Sequence, residues 1–238
     1  MSNQLIYQID NKVFTTGKSV FTFYKSFTLP TLWLRADAGI TKDMDNKVSQ
    51  WQDQSGNNYH PEQQTDFNQP LWVENGFNGK PVLRFSGNQW LKKGFGFEMP
   101  QPNTAFVVWS YNSTPGVSPG PFGNFSTRFN YIGLRNSDTL LAMYAGAYMG
   151  YTKSASFSEL LTTAEFNGTQ SKIYENGAFR NVGNAGSATR NGVTIGALYN
   201  NSSRLNGDIA EIIFYNSLLS DGQRESVEQY LINKYGLI

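Results

Sequence analysis

Gly207-Asp208-Ile209-Ala210-Glu211-Ile212-Ile213-Phe214-Tyr215, followed by Asn216 to Ile238, is the stretch that decides the fold. Its first part is one apolar, β-branched strand. Ser220 and Gln223 then form a capping-box pattern, and Asp221 suits the positive end of a helix dipole. Val227, Tyr230, Leu231 and Tyr235 recur at helical spacing and read as one packing stripe. Gly236 supplies a left-handed stop and Leu237 the apolar contact that follows it. One strand, a short turn and one terminal helix close a chain whose remainder reads as short strands and Gly/Asn turns.

Working outward, Leu32-Trp33-Leu34, Val48-Ser49-Gln50-Trp51, Lys80 to Phe85 and Thr104 to Tyr111 are apolar runs of strand length. Asn-Gly pairs at 75–76, 78–79, 167–168, 176–177, 191–192 and 206–207 favour the positive φ angles of tight hairpin turns. The clearest hairpin is Lys172 to Phe179, turning at Asn176-Gly177. Short strands with such turns predict an all-β antiparallel sandwich carrying one C-terminal α-helix. Residues 1–30 read differently. Leu5, Tyr7 and Ile9 alternate with polar residues, as do Val20, Thr22 and Tyr24, with Thr16-Gly17-Lys18 as a turn between them. This is a hairpin that serves as the sandwich's first strands or as a β arm docking on a partner, with residues 31–238 as the main domain. Asn112 to Asn130, rich in Pro and Gly, is expected to be a long loop, either disordered or with a contact role.

Only 16% of the 238 residues are charged and the formal net charge is +1, against about a quarter charged in ordinary domains. No basic stripe appears, so nucleic acid is excluded as the expected partner. With no cysteine and only His60 as histidine, thiolate and histidine-cluster chemistry are excluded. No run has the length of a membrane span, so no membrane insertion is expected. No apolar stretch of signal-peptide length follows Met1, so export by a cleaved signal is not expected either. Aromatic residues make up 15% of the chain, which suits a β-rich core and sugar-facing surfaces alike.

Leu32-Trp33-Leu34-Arg35-Ala36-Asp37-Ala38-Gly39, Val48 to His60, Asn78 to Gly87 and Gly207 to Leu237, in this order and spacing, resemble the concanavalin A-like lectin/glucanase superfamily. The closest branch is the laminin-G-like domains of bacterial surface proteins and phage structural proteins. The resemblance covers roughly residues 32–238. It implies an antiparallel jelly roll with one concave face, and it fixes no ligand, because one fold hosts many functions. The family's Asn-His-Ala after the Ser-Gly-Asn turn is replaced here by Asn58-Tyr59-His60-Pro61, where the tyrosine is expected to reshape the loop. Asp53, Ser55 and Asn57 read as turn formers that bond their own backbone. No cofactor is expected, with calcium at these oxygens as the alternative.

Glycosidases flank the scissile bond with two carboxylates, and the glucanase branch of the superfamily carries Glu-x-Asp-x-x-Glu, a spacing absent here. Glu211 stands alone in phase with Ile209, Ile213 and Tyr215, with Asp208 expected on the opposite face. A buried Glu needs a partner, and Arg84 is the expected one, so Glu211 reads as structural and the chain as no enzyme. Sugar binding needs aromatic plates and amides. Tyr144, Tyr148 and Tyr151, separated by small residues in Met143 to Tyr151, are candidates, as are Trp90, Tyr199 and Asn200. The expected function is a lectin-like module on a phage virion surface, or alternatively a bacterial cell surface or an extracellular location. It would bind a glycan or a partner protein, with homo-oligomerisation through the N-terminal arm. The rival reading is a purely structural decoration protein, and a polysaccharide hydrolase comes third.

Overall fold

The computed structural model describes residues 13–16, 19–22, 28–112, 120–126, 131–135, 140–153 and 159–238. In chain order the strands are β1 (Val13–Thr16), β2 (Ser19–Thr22), β3 (Leu32–Arg35), β4 (Ile40–Lys42), β5 (Val48–Trp51), β6 (Leu71–Val73), β7 (Val82–Ser86), β8 (Leu91–Met99) and β9 (Asn103–Trp109). They continue with β10 (Phe122–Gly123), β11 (Tyr131–Arg135), β12 (Leu140–Tyr144), β13 (Tyr148–Thr152), β14 (Leu160–Phe166), β15 (Ser171–Glu175), β16 (Ala178–Gly183), β17 (Arg190–Ile195) and β18 (Asn206–Tyr215). Helix α1 (Asp221–Tyr235) follows.

Two antiparallel sheets carry the structure. One has eight strands in the order β16-β15-β14-β9-β18-β7-β6, with β3 beside β18, and the other has six in the order β13-β12-β11-β10-β17-β8. The strand β18 shows how they stack. Its Ile212 and Phe214 join Val107, Trp109, Leu141, Met143, Val193 and Ile195 in a core drawn from both sheets. Its Ile213 and Tyr215 face the other way and meet Val227, Leu231 and Tyr235 of α1. The order of layers is therefore helix, eight-stranded sheet, six-stranded sheet. Each fully buried Phe or Leu in the inner layer contributes about 2 kcal/mol by leaving water.

The helix forms as its sequence predicts. Ser220 and Gln223 make the capping box, and Gly236 ends the helix at φ 64°. Leu237 donates its N–H back to the Ile232 carbonyl at 3.1 Å and packs into the helix-side core.

The alternation read along the last strand is broken by a bulge. Ile209 pairs with Trp109 and Glu211 with Val108, so Ala210 is an extra residue. Ile209 consequently faces the inner core while Ala210 and Glu211 both face the helix. Asp208 also turns outward, where it takes a two-pronged bond from Arg84 at 2.8 Å. The expectation that Asp208 and Glu211 oppose each other, and that Arg84 serves Glu211, is thus corrected. Period-2 reasoning does not survive an inserted residue.

Other expectations shift in detail. Asn176-Gly177 is a hairpin turn with both φ angles positive, at 48° and 78°. Gly192 and Gly207 instead lie inside strands, where a Cβ would sit 2.3 Å from the Lys93 carbonyl oxygen and 2.1 Å from that of Ser110. There glycine permits close backbone approach rather than a turn. The stretch expected to be one loop, Asn112 to Asn130, contains β10, a buried strand in the six-stranded sheet. Its residues 113–119 and 127–130 lie outside the described set. At the N-terminus β1 and β2 pair with each other as a two-stranded sheet, while Leu5, Tyr7, Ile9 and Tyr24 lie outside the described residues.

Candidate functional site

Helix α1 occupies the outer face of the eight-stranded sheet over β9, β14 and β18. The outer face of the six-stranded sheet carries a different surface. On β11 and β12, Ile132, Leu134, Leu141 and Met143 point into the core, so Tyr131, Gly133, Ala142 and Tyr144 point out. Tyr131 pairs across strands with Tyr144, and Tyr144 with Tyr148. The adjacent outward row is Gly133, Ala142 and Gly150. Three tyrosines thus stand beside a floor of residues almost without side chains.

The rings pack as a ladder. Tyr131 and Tyr144 have centroids 5.4 Å apart, and Tyr144 and Tyr148 4.3 Å. The Tyr131 hydroxyl donates to that of Tyr148 at 3.0 Å. Burial falls along the ladder, from Tyr131 at 1% exposed to Tyr148 at 37%. The buried end anchors the exposed end, which is the preorganisation a binding platform needs.

The hairpin tip that carries the platform is fixed by backbone bonds. Ala145 and Ala147 both donate to the Ala185 carbonyl, at 2.6 and 3.0 Å, and Ala188 donates to that of Ala145 at 2.9 Å. The Gln101 amide in turn donates to Gly186 and Ala188 carbonyls at 3.1 Å and accepts from the Gly168 N–H at 2.7 Å.

The other predicted residues are placed apart from this ladder. Tyr151 lies three residues beyond Tyr148, hence on the opposite face of β13, and packs against the inner core. Its hydroxyl donates to Glu175, which also meets Lys153 at 2.9 Å and Arg180 at 3.6 Å. Burial and the bond to Glu175 push the Tyr151 phenol well above its ordinary value. Burial alone would raise Glu175 too, but the bonds from Tyr151 and Lys153 outweigh it and hold that carboxyl low. Glu175 belongs to β15 and Tyr151 to β13, so this cluster ties the two sheets together at one edge. Trp90 is half-buried just before β8, its N–H bonded to the Asn68 carbonyl at 3.0 Å. Tyr199 and Asn200 sit on the turn after β17, where the Tyr199 carbonyl accepts from Lys92 at 2.9 Å and the Asn200 side chain accepts from Ser202.

Carboxylates that might have signalled catalysis are engaged structurally. Glu211, fully buried, accepts from Trp33 Nε1 at 2.6 Å, Lys234 at 2.7 Å, Tyr235 at 2.8 Å and Tyr230 at 3.2 Å. Asp53 accepts from the Trp33 and Ser55 N–H groups at 2.9 Å, the Ser55 hydroxyl at 2.7 Å and the Tyr59 N–H at 3.1 Å. Asn57 donates to the Thr31 carbonyl at 3.0 Å. The loop from Asp53 is therefore a hydrogen-bonded turn, both carboxylate oxygens accepting from neighbouring donors. Among the described residues no group of three or more His, Cys, Asp or Glu gathers to hold a metal ion. The Tyr59 ring packs tilted against that of Phe95, with centroids 4.8 Å apart.

Sequence reasoning missed Tyr131, which hides behind the Gly/Pro-rich stretch, and Phe125 with Lys92. The Phe125 side chain lies against Gly94 and Gly192 of the same outer face, and the Lys92 ammonium stands 4.8 Å from its ring centre. Two glycines spaced on adjacent strands were the available signal for such a covering ring.

No protein-family model and no curated protein matches the chain. Solved structures do. Domain 4 of the extracellular arabinanase AbnA from Geobacillus stearothermophilus, determined in complex with arabinotriose, is similar at TM-score 0.60 and 14% identity, over 85% of this chain and 99% of that one. The binding domain of Paraclostridial Mosquitocidal Protein 1 is similar at 0.58 and 15%, over 86% of this chain and 52% of that one. An arabinofuranosidase complexed with arabinofuranosyl-α-1,2-xylobiose is similar at 0.61 and 16%, over 89% of this chain and 60% of that one. What this chain shares with them is the fold.

Proposed function

We propose that this chain is a non-catalytic glycan-binding module of the laminin-G-like jelly-roll type, holding sugar on the outer face of its six-stranded sheet. The observation that carries the reading is the tyrosine ladder. Tyr144 and Tyr148 offer ring faces for the C–H side of a sugar, their hydroxyls offer hydrogen bonds, and Gly150 sets no side chain beside them. The fold neighbours support it, since one was determined with arabinotriose and another is the binding domain of a toxin. The engagement of Glu211 and Asp53 in structural bonds supports binding without cleavage.

A glycan array probed with the intact protein, followed by calorimetry on the strongest binder, tests this. Tyr148→Ala is expected to weaken binding at least tenfold, about 1.4 kcal/mol, with an unchanged melting temperature, and the glycan is recovered intact. An array with no binder, or equal affinity of the variant, contradicts the proposal.

The N-terminal hairpin favours a second, compatible reading. Its strands β1 and β2 form a sheet of their own, and such a hairpin can add strands to a neighbour's edge. On this reading the module is docked on a phage virion surface, as a decoration or fibre component. Deletion of residues 1–30 should then abolish incorporation into particles while glycan binding persists. Unchanged incorporation removes the arm from the account.

A further inference from the structure

Asn-Gly pairs punctuate the chain at 75–76, 78–79, 167–168, 176–177, 191–192 and 206–207. Such a pair carries a chemistry of its own. The glycine nitrogen, unshielded by a side chain, attacks the asparagine side-chain carbonyl carbon wherever the backbone between them is able to turn. The fold decides which pairs have that freedom.

Five pairs are held. Gly76 donates its N–H to the Lys80 carbonyl at 2.9 Å, and a Cβ on it would sit 2.5 Å from Val82. Gly168 donates to Gln101 Oε1 at 2.7 Å, and Asn167 donates its N–H to the Ser171 hydroxyl at 2.9 Å. The Asn176 side chain accepts from the Leu161 N–H at 2.8 Å and donates to the main-chain oxygen of Ile238 at 2.7 Å, while its own N–H donates to the Leu161 carbonyl at 2.9 Å. Asn191 lies in β17, where its amide donates to Ser126 at 2.6 Å and Glu98 at 3.1 Å and its N–H donates to Asn124 at 2.9 Å. Asn206 begins β18, where its carbonyl accepts from the Asn112 N–H at 2.8 Å and Gly207 packs against the Ser110 carbonyl.

The pair at 78–79 is open. Asn78 and Gly79 are both exposed, and a Cβ on Gly79 would meet nothing within 4 Å. Among the described residues no hydrogen bond holds the Asn78 side-chain amide. Asn78 stands at φ 47° and ψ 43°, so its ψ must turn before ring closure. The backbone bond spanning this turn runs from the Lys80 N–H to the Phe77 carbonyl at 2.8 Å, and opening a short surface turn costs little.

We propose that Asn78 is the site at which this protein deamidates spontaneously. The Gly79 nitrogen bonds to Asn78 Cγ and gives up its proton, the Cγ–Nδ2 bond breaks, and the amide nitrogen leaves as ammonia. A succinimide ring remains. Water then adds at either ring carbonyl and opens it to aspartate or isoaspartate, with no change of oxidation state. The location gives the product a consequence. A Cβ on Gly236, which ends α1, would lie 3.1 Å from Asn78 Cγ and Nδ2. The new carboxylate therefore forms beside the C-terminal carbonyls of the helix, the end where negative charge is unfavourable.

Peptide mapping by mass spectrometry of the folded protein, held at mildly alkaline pH, tests the assignment. Asn78 is expected to convert about tenfold faster than the other five pairs. In urea, where the fold no longer discriminates, the six should convert at similar rates. Asn78→Asp supplies the product's charge on a residue that tolerates the same left-handed backbone. It is expected to lower the melting temperature by a few degrees, a fall that shrinks in high salt. Conversion led by any of the other five pairs, or an unchanged ranking in urea, overturns the assignment to the fold. A melting temperature of Asn78→Asp equal to wild type overturns the consequence for the helix.

Discussion

Glu211 illustrates how a residue's chemistry is decided by its donors. Four groups from two elements, β3 and α1, converge on one carboxylate, and Lys234, only 5% exposed in its side chain, supplies the countercharge. Such a group is costly to neutralise, because its partner is left buried and charged. Glu211→Gln is expected to destabilise the fold by about 3 kcal/mol, read as a lower urea midpoint, with glycan affinity unchanged. A variant as stable as wild type would remove the ion pair from the account. That Glu211 is structural was legible in the sequence, since it stood alone among apolar neighbours. Its partners were not, because the bulge at Ala210 arises from pairing between β18 and β9, which no local pattern reveals. The same bulge delivers Asp208 to Arg84. Tyr151 teaches a simpler lesson, since alternation from Tyr148 already places it on the inner face of β13.

At the scale of elements, α1 docks through a stripe that mixes apolar and charged groups. Val227, Leu231 and Tyr235 were readable from their spacing, as was the cap. Removing the cap with Ser220→Ala is expected to cost about 1 kcal/mol, measurable as a fall in melting temperature. The buried charges of the helix were hidden within the same heptads. Arg224, 6% exposed in its side chain, pairs with Glu228, lies 3.7 Å from Glu165 and stacks 4.1 Å from the Tyr174 ring. Burial raises the carboxyl groups of Glu228 and Glu165 above the ordinary value of 4.5, and Arg224 only partly offsets it. A carboxyl raised on folding favours the folded state when protonated, and that contribution is lost as pH rises through the folded value. Glu228→Gln, a mimic of the protonated form, is therefore expected to be more stable than wild type at pH 7. The difference should shrink toward zero as pH falls below 4.5. A variant less stable than wild type at pH 7 would show that the ion pair with Arg224 outweighs the burial cost.

For the whole molecule, the division of labour follows from which faces are covered. The helix and its charge networks lie on the eight-stranded sheet, the two sheets enclose the main core, and the remaining broad face carries the tyrosine ladder at one edge. Sheets, turns and terminal helix could be read from periodicity and capping. The ladder could not, since it needs Tyr131, Tyr144 and Tyr148 in register across three strands, which only their pairing sets. Strands β1 and β2 pair with each other and with neither of the two large sheets. A chain lacking residues 1–27 is accordingly expected to keep its melting temperature, and a clear fall would make the N-terminal segment part of the sandwich. The most direct measurement is a crystal structure of the protein soaked with its strongest array glycan. The account predicts a sugar ring resting on Tyr144 and Tyr148 over Gly150. A glycan seated on the helix side, or on the turn from Asp53 to His60 with the tyrosine ladder bare, would contradict it.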